Sequence, residues 1–238
     1  MILATDLDGT FLGGSLSHKQ QLYNFLKAAA EIKLIFVTGR GLESVRTLLC
    51  ESDIPYPDFI ISDVGATIVD GATFKPVLEL DEKIKAKWPG REAIKSKVAH
   101  LPGLIPQFVP QRRRCSYFAV NETVVRQVRN VLSDMKCEII YSANRFLDIL
   151  PAGVNKGLSL RSLIDHLDCN PKEVLVAGDT LNDLSLYQQN FDGVAVGNSE
   201  KKLLEAVRDL SNVFISKSKG AGGILEAIAH FKKQQLLN

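Results

Sequence analysis

Two carboxylates, Asp6 and Asp8, stand one residue apart at the end of the apolar segment that opens the chain. Beside a metal ion, one carboxylate can act as the nucleophile in phosphoryl transfer. A second can protonate the leaving group and then deprotonate the attacking water. The same stretch has a simpler interpretation, because Asp8-Gly9 between apolar residues is also a strong signal for a β-hairpin turn.

Three more polar clusters lie further along the chain, and they favour the chemical interpretation over the β-hairpin turn. They read Thr38-Gly39-Arg40, Lys156-Gly157 and Gly178-Asp179-Thr180-Leu181-Asn182-Asp183. If Asp6, Asp8 and Asp179 meet, each like-charged pair at about 4 Å costs on the order of 4 kcal/mol at an effective dielectric near 20. Such a cluster needs a cation. Its donors are hard oxygens with no His or Cys nearby in sequence, which favours Mg²⁺ and makes zinc a poor fit.

The second and third clusters supply groups that suit a transferring phosphoryl group. Phosphoryl transfer is catalysed mainly by positioning and by fixed donors aimed at the phosphoryl oxygens. The Thr38 hydroxyl, the backbone N–H of Gly39 at a helix start and the Lys156 ammonium are such donors. We expect Arg40 to contact the substrate beside the phosphate.

The polar clusters follow or precede elements that indicate an α/β fold. Short apolar runs rich in Ile and Val each stop at a polar loop, and helical patterns lie between them. The runs are MILAT before Asp6, IKLIFV before Thr38, PDFIIS before Asp63 and EVLVA before Gly178. Alternating strands and helices predict βαβ units, and hence a Rossmann-like parallel sheet flanked by helices. In such sheets ligands bind at the carboxyl ends of the strands.

A segment in the middle of the chain breaks this rhythm. Its pattern predicts one helix over 81–100, a strand over 112–120, a helix over 122–135 and strands over 137–142 and 145–151. Half-exposed alternation is typical of an antiparallel sheet. We therefore predict a core formed by residues 1–79 and 156–238, with an inserted α+β cap over residues 80–155.

Composition restricts the classes of partner. The chain has 29 Lys and Arg against 27 Asp and Glu, which gives no general attraction to nucleic acid or to an anionic membrane. The basic run Arg112 to Arg114 is either a solvated face or part of a substrate site.

No basic leader precedes an apolar run, and no apolar segment approaches the roughly 20 residues that span a bilayer. We expect a cytoplasmic protein. For its oligomeric state, the sequence is compatible with a monomer and with a homodimer.

The clusters, taken in order, resemble a known superfamily. DLDGT, VTGR, NKG and GDTLND resemble the four ordered motifs of the haloacid dehalogenase-like hydrolases. The resemblance implies that Asp6 is the nucleophile and Asp8 the general acid and base. It implies that Thr38 and Lys156 bind the phosphoryl group. The implied metal ligands are Asp6, the backbone carbonyl of Asp8, and Asp179, with Asp183 alongside.

The position of the cap, between the second and third motifs, is similar to that in the Cof-type and sucrose-phosphatase-like branch. The stretches SDVGATI, DILPAGVNKG and KGAGGILEAIAHF are also similar to sucrose phosphatases. This resemblance implies a Mg²⁺-dependent phosphatase for a small phosphorylated metabolite, above all a sugar phosphate such as sucrose 6-phosphate. The residues expected to bind the substrate are Gly9, Thr38, Gly39, Arg40, Arg114, Lys156 and Asn182.

Other functions stay open at this point. The alternative substrates are mannosylfructose phosphate, mannosyl-phosphoglycerate and phosphoglycolate. A phosphomutase would use the same groups without releasing phosphate. A phospho-receiver domain also combines an acidic Mg²⁺ pocket with a Thr and a Lys, but it needs neither a cap nor a nucleophile on its first strand.

Overall fold

The computed structural model of the chain describes residues 1–110 and 113–235, with the backbone alone for 232–235. Arg112, one member of the basic run, lies outside the described residues. The strands are β1 Ile2–Thr5, β2 Lys33–Val37, β3 Phe59–Ser62, β4 Thr67–Asp70, β5 Leu104–Pro106, β6 Cys115–Ala119, β7 Cys137–Ser142, β8 Phe146–Pro151, β9 Val174–Gly178, β10 Asp192–Ala195 and β11 Val213–Ile215. The helices are α1 Leu16–Ala28, α2 Leu42–Glu51, α3 Leu78–Ala86, α4 Arg91–Val98, α5 Glu122–Val131, α6 Lys156–His166, α7 Leu184–Tyr187, α8 Lys201–Val207 and α9 Ala221–Gln235.

The predicted α/β class is confirmed by the larger of two sheets. Its seven strands run in the order β11-β10-β9-β1-β2-β3-β4. All neighbours pair in parallel except β3 and β4, which form an antiparallel edge. The hairpin interpretation of Asp8-Gly9 is wrong, because β1 lies in the middle of the sheet and pairs in parallel with β2 and β9.

The apolar runs are continuous because both faces of this sheet are covered. In β1, Ile2 and Ala4 belong to one buried cluster and Leu3 to the other. Side chains alternate between the two faces of a strand, so a strand buried on both sides needs apolar residues at every position. Helices α1, α2 and α9 pack on the face of Leu3, and α6, α7 and α8 pack on the opposite face. Among the described residues, no helix has both the length and the apolar character that crossing a membrane requires.

The smaller sheet is antiparallel, with the order β5-β6-β8-β7, and all its strands lie within the predicted insertion. Helices α4 and α5 cover its apolar face. The single helix predicted over 81–100 is instead two helices, α3 and α4. Pro89 has no N–H for a helix bond, and Gly90 has a φ of 100°, so the first helix cannot continue. The boundaries of the core and the cap stay a prediction, and the predicted break after residue 79 falls inside α3.

Candidate active site

Three buried carboxylates from distant parts of the chain meet at the carboxyl edge of the larger sheet. Asp6 follows β1, Asp179 follows β9, and Asp183 lies one short helical turn later. Each offers a carboxylate oxygen, and these oxygens lie within 4.8 Å of one another. β1 and β9 are neighbours in the sheet, so their carboxyl ends bring Asp6 and Asp179 together.

Lys156 lies buried against this cluster. Its Nζ lies 2.7 Å from Oδ1 of Asp6 and 2.6 Å from Oδ1 of Asp183, and only 1% of the residue is exposed. The Asn155 side chain accepts a 2.8 Å hydrogen bond from Leu158 N and caps α6, so Lys156 is the first residue of that helix. The hydrogen bond from Asn155 thereby fixes the start of α6, and with it the position from which Lys156 reaches the cluster.

The cluster holds more negative charge than Lys156 balances. Burial, together with repulsion from Asp183, raises the pKa of Asp6 to about 8 even though Lys156 opposes the shift. Burial and Asp183 likewise raise the pKa of Asp179 to about 7. Burial alone would lower the pKa of Lys156, but attraction to Asp183 and Asp6 outweighs it and raises the pKa. A divalent cation would remove this imbalance.

The donors at the cluster fit Mg²⁺, which prefers carboxylate and carbonyl oxygens. Asp6 and Asp179 offer oxygens that face the cluster. Asp183 has a different environment: its Oδ1 accepts from Lys156, and its Oδ2 accepts from the backbone N–H groups of Asp179 and Thr180, each at 3.0 Å. Asp183 therefore orients both the lysine and the loop that carries Asp179.

Gly9 is required beside this cluster for steric reasons. Its φ is 79°, in the left-handed region that favours glycine. A Cβ placed on Gly9 would lie 2.1 Å from Oδ2 of Asp179. Any other side chain would therefore displace the Asp179 carboxylate.

The Asp8 side chain does not belong to the group of three buried carboxylates and pairs with Arg40 instead. Arg40 Nε donates to Oδ2 of Asp8 at 2.7 Å and Nη2 donates to Oδ1 at 2.6 Å. The backbone N–H of Arg40 donates to the Thr38 hydroxyl at 3.1 Å. Thr38 is buried, whereas the Asp8 side chain is 60% exposed and can reach a group in the cleft above it.

A cleft of about 310 Å³ separates the two sheets at this point. The larger sheet contributes Asp6, Asp8, Gly39, Arg40 and Asn182. The smaller sheet and its hairpin contribute Arg114, Ser142, Phe146 and Asp148. Five of the predicted site residues on the core thus line one cleft, opposite residues of the inserted segment, whereas Gly9, Thr38 and Lys156 are not among its lining residues.

Arg114 joins the two sheets beside the cleft. Its Nε donates to Oδ1 of Asp148 at 2.8 Å and to the Ser116 hydroxyl at 2.7 Å. Its Nη1 donates to the backbone carbonyl of Gly39 at 2.6 Å. In this arrangement Arg114 holds the loop that presents the Gly39 N–H. Its direct contact with substrate stays a prediction.

Two polar residues that complete the cluster were not predicted from the sequence. Thr10 donates from its hydroxyl to Oδ1 of Asp179 at 3.0 Å. Asn198 donates from Nδ2 to Oδ2 of Asp179 at 3.2 Å and to the Gly9 carbonyl at 3.0 Å. Thr10 lies within the DLDGT motif, and Asn198 follows the apolar run GVAV, so a search of every strand end would have found both.

Asp63, directly after β3, is a third unpredicted residue. It is 2% exposed, its Oδ2 accepts from the Thr67 hydroxyl at 3.0 Å, and its Oδ1 has no hydrogen-bond partner among residues 1–110 and 113–235. Arg114 is the cation paired with it in the described part of the chain, with Nη1 at 3.7 Å from Oδ1. Asp63 and Val64 have φ values of 55° and 58°, which are strained for residues with a side chain.

The environment of Asp63 predicts a pH-dependent effect of the substitution Asp63→Asn. Burial raises the pKa of Asp63 from 3.8 to about 6 in spite of Arg114. The native state then binds the proton more tightly than the unfolded state, so the wild type loses stability as pH rises from about 4 to about 6. We expect Asp63→Asn to gain up to about 3 kcal/mol of unfolding free energy relative to the wild type at pH 8, and little at pH 4. Urea unfolding at both pH values measures this; a gain independent of pH contradicts it.

Comparison with known proteins places this geometry in a family. The profile described as sucrose-6F-phosphate phosphohydrolase matches residues 1–232. The chain belongs to that family. The expected resemblance to haloacid dehalogenase-like hydrolases of the sucrose-phosphatase-like branch is confirmed.

This chain is also similar to individual known proteins. The sucrose-phosphatase of Synechocystis sp. PCC6803, solved with sucrose and phosphate, has a TM-score of 0.90 and 28% identity over 98% of each chain. A glucosylglycerol-phosphate synthase of Pseudomonas anguilliseptica is 50% identical over 97% of this chain and 31% of that protein. A probable sucrose-phosphatase 2 of Arabidopsis thaliana is 33% identical over 84% of this chain and 50% of that protein. The chain thus spans from about a third to a half of the length of these two curated relatives.

Proposed function

We propose that the chain is a Mg²⁺-dependent phosphatase that hydrolyses the phosphate ester of a small sugar derivative in the cytoplasm. The observation that carries the proposal is the buried group of Asp6, Asp179 and Asp183 with Lys156, open to a cleft between two sheets. Asp6, the Asp8 carbonyl and Asp179 would hold the metal, with Asp183 behind them. When bound, Mg²⁺ would neutralise the carboxylates and polarise the phosphoryl oxygens.

The residues of the chain divide the reaction between them. Asp6 attacks phosphorus, the bond to the leaving oxygen breaks, and Asp8 gives that oxygen a proton. A water molecule then attacks the aspartyl phosphate, Asp8 takes a proton from the water, and Asp6 and inorganic phosphate are released. Thr38, the Gly39 N–H and Lys156 stabilise the charge on the phosphoryl oxygens in both steps.

The comparisons support two substrates. The sequence predicts sucrose 6-phosphate, and the sucrose-phosphatase relatives support it. The 50% identity to one part of a glucosylglycerol-phosphate synthase favours a second candidate, because a phosphatase-like part of such a protein would act on the product of that synthase. Glucosylglycerol phosphate is therefore the first substrate to test. Family membership favours phosphate release over a phosphomutase or a phospho-receiver domain.

A phosphate-release screen tests the proposal. The purified chain is assayed with glucosylglycerol phosphate, sucrose 6-phosphate, mannosylfructose phosphate and phosphoglycolate, with Mg²⁺ and with excess chelator. We expect rapid release from one of the glycosyl phosphates, and loss of at least about 10³-fold with chelator, because the excess negative charge then opposes the anionic substrate. Equal release with chelator would contradict the metal assignment, and transfer without free phosphate would indicate a mutase.

A further inference from the structure

The loop 38–40, which directly follows β2, keeps one backbone donor free. The Thr38 N–H donates to the Ile61 carbonyl at 2.8 Å, and the Arg40 N–H donates to the Thr38 hydroxyl at 3.1 Å. The Gly39 N–H has no acceptor among residues 1–110 and 113–235, and Gly39 lines the active-site cleft. The free donor is therefore the group that the proposed function assigns to a phosphoryl oxygen.

The direction of the Gly39 N–H is set by the two peptide planes that flank Gly39. In the first, the Val64 N–H donates to the Thr38 carbonyl at 3.0 Å. Because a trans peptide is planar, this bond turns the Gly39 N–H to the opposite side. In the second, Arg114 Nη1 donates to the Gly39 carbonyl at 2.6 Å. Gly39 has no Cβ to restrict its own dihedral angles, so the two planes depend on these outside contacts.

The two outside contacts come from different parts of the fold. Val64 belongs to the turn that follows β3, and β3 is a neighbour of β2 in the larger sheet. Arg114 directly precedes β6 of the smaller sheet, where its Nε donates to Oδ1 of Asp148 on β8 at 2.8 Å. The smaller sheet thus contacts the backbone of the loop 38–40 through the Arg114 side chain.

Buried charge keeps Arg114 beside this loop. Its side chain is 12% exposed and lies between two buried carboxylates, with Nε 2.8 Å from Asp148 Oδ1 and Nη1 3.7 Å from Asp63 Oδ1. The Asp63 Oδ1 accepts no hydrogen bond within the described residues, so the ion pair with Arg114 compensates for its burial. Asp63 therefore holds the guanidinium from the side of the larger sheet, and Asp148 holds it from the smaller one.

The strained turn at Asp63 and Val64 holds the same loop. The two residues have φ values of 55° and 58°. The Asp63 N–H donates to the Arg40 carbonyl at 2.9 Å, beside the bond from Val64 to Thr38. Strained backbone persists where the surrounding structure over-determines it, and it clusters at functional sites. Asp63 thus contacts the loop 38–40 through its backbone and Arg114 through its side chain.

We propose that Arg114 is a positioning residue through which the smaller sheet controls phosphate binding, with Asp63 as its counter-ion. While Arg114 holds the Gly39 carbonyl, the Gly39 N–H is aimed at the phosphate; without this contact the glycine can turn and the donor is lost. Coupling between two binding events is reciprocal, so phosphate at Gly39 also favours the position of the smaller sheet seen here. The proposal rests on the proposed function and adds to it, since it gives Arg114 a role that needs no contact with the substrate.

Inorganic phosphate is the probe, because it has no sugar that the smaller sheet could contact. Its dissociation constant is measured by isothermal titration calorimetry with the full chain and Mg²⁺ at about pH 8, where the Asp63 carboxyl is ionised. Arg114→Ala should weaken phosphate binding about 10-fold, because a hydrogen bond to a charged group is worth about that factor. If Arg114 acted only by contacting the sugar, Arg114→Ala would raise KM for the sugar phosphate and leave the phosphate affinity unchanged, which would overturn the proposal.

Asp63→Asn separates positioning from a merely structural role. This variant is expected to be more stable than the wild type at pH 8, yet it should bind phosphate about 3-fold more weakly, because Asp148 alone then holds the guanidinium by charge. A structural role would shift stability and affinity in the same direction. Arg113→Ala is the matched control, since the Arg113 side chain is also largely buried, at 16% exposed, but pairs with Asp81. It should leave the phosphate affinity unchanged.

The remaining outcomes also decide the matter. A wild type that binds phosphate, with the same dissociation constant in Arg114→Ala and Asp63→Asn, would overturn the proposal. If Arg114→Ala does not fold, Asp63→Asn decides alone, because it keeps the arginine. Equal weakening in Arg113→Ala would assign the effect to the overall positive charge of the segment and overturn the proposal. A wild type that neither binds nor releases phosphate would overturn the proposed function as well, so the two failures are distinguishable.

Discussion

Replacing Asp6 with Asn is expected to reduce phosphate release by about 10⁴-fold or more while the fold is kept. An amide cannot form the covalent phosphoryl intermediate, and loss of a nucleophile removes most of the rate enhancement that the remaining groups can supply. Asn has nearly the same shape as Asp, so the packing around this 5% exposed residue is preserved. The rate of phosphate release at saturating substrate and Mg²⁺ measures the loss.

The charge around Asp6 gives this prediction an independent readout. The pKa of Asp6 is raised to about 8 by burial and by Asp183, so the wild type loses stability as pH rises through the range from about 4 to about 8. Asp6→Asn lacks this titration. Without Mg²⁺ it should therefore gain thermal stability relative to the wild type as the pH is raised to 8.

Asp53→Asn is the matched control for Asp6→Asn, since it makes the same chemical change at a side chain that is 97% exposed. It should keep wild-type turnover and the wild-type dependence of stability on pH. Turnover in Asp6→Asn within about 10-fold of the wild type would remove Asp6 from the role of nucleophile.

The sequence was sufficient to predict the centre of the larger sheet. β1, β2, β3 and β9 are continuous apolar runs because both of their faces are buried, and each ends at a polar cluster. Two strands beyond β9 escaped prediction for different reasons. The edge strand β11 is three residues long and partly exposed, so it lacks the burial that produces a clear run. Its neighbour β10 is largely buried, but Asp192 and Gly193 interrupt its apolar run.

The meeting of the site residues was partly predictable. Asp6 and Asp179 end neighbouring parallel strands, so a parallel sheet alone brings them together. Lys156 enters from the start of α6, and its place depends on how that helix packs over the sheet, which the residue pattern does not specify. Its assignment from the sequence rested on the presence of the other polar clusters and on the resemblance of NKG to a family motif.

The contacts between the two sheets could not be predicted from residue patterns. Arg114 meets Asp148 because β6 and β8 pair antiparallel with Ser116 opposite Asp148, and that register is set by the fold of the whole insertion. The environment of Asp63 is a similar case. A left-handed Asp-Val pair is disfavoured by local preference, so it forms only because the surrounding structure holds it.

Replacing Lys156 with Met should impair both stability and catalysis, because it removes the only ammonium or guanidinium group found within hydrogen-bond distance of the Asp6 carboxylate among the described residues. Breaking a buried ion pair from one side costs about 3–5 kcal/mol. We expect a loss of about that size in unfolding free energy near pH 8 without Mg²⁺. The loss should shrink at pH 5, where the carboxylates take up protons, and it should shrink when Mg²⁺ is added, because a ligand that binds only the native state stabilises it. Phosphate release should fall by about 10³-fold even with Mg²⁺, since a donor to the phosphoryl oxygens is lost.

Lys201→Met is the control for this change, because the side chain of Lys201 is 90% exposed and its loss should alter neither quantity. Lys156→Arg keeps the positive charge, so it should recover part of the lost stability. It should recover little activity, because a guanidinium does not fit a pocket in which Nζ lies 2.7 Å and 2.6 Å from two carboxylates. If Lys156→Met kept the wild-type stability without Mg²⁺, the three carboxylates could not carry the excess charge from which the metal site is inferred. If it instead lost stability but kept its rate of phosphate release, Lys156 would hold the cluster together without contacting the phosphoryl group.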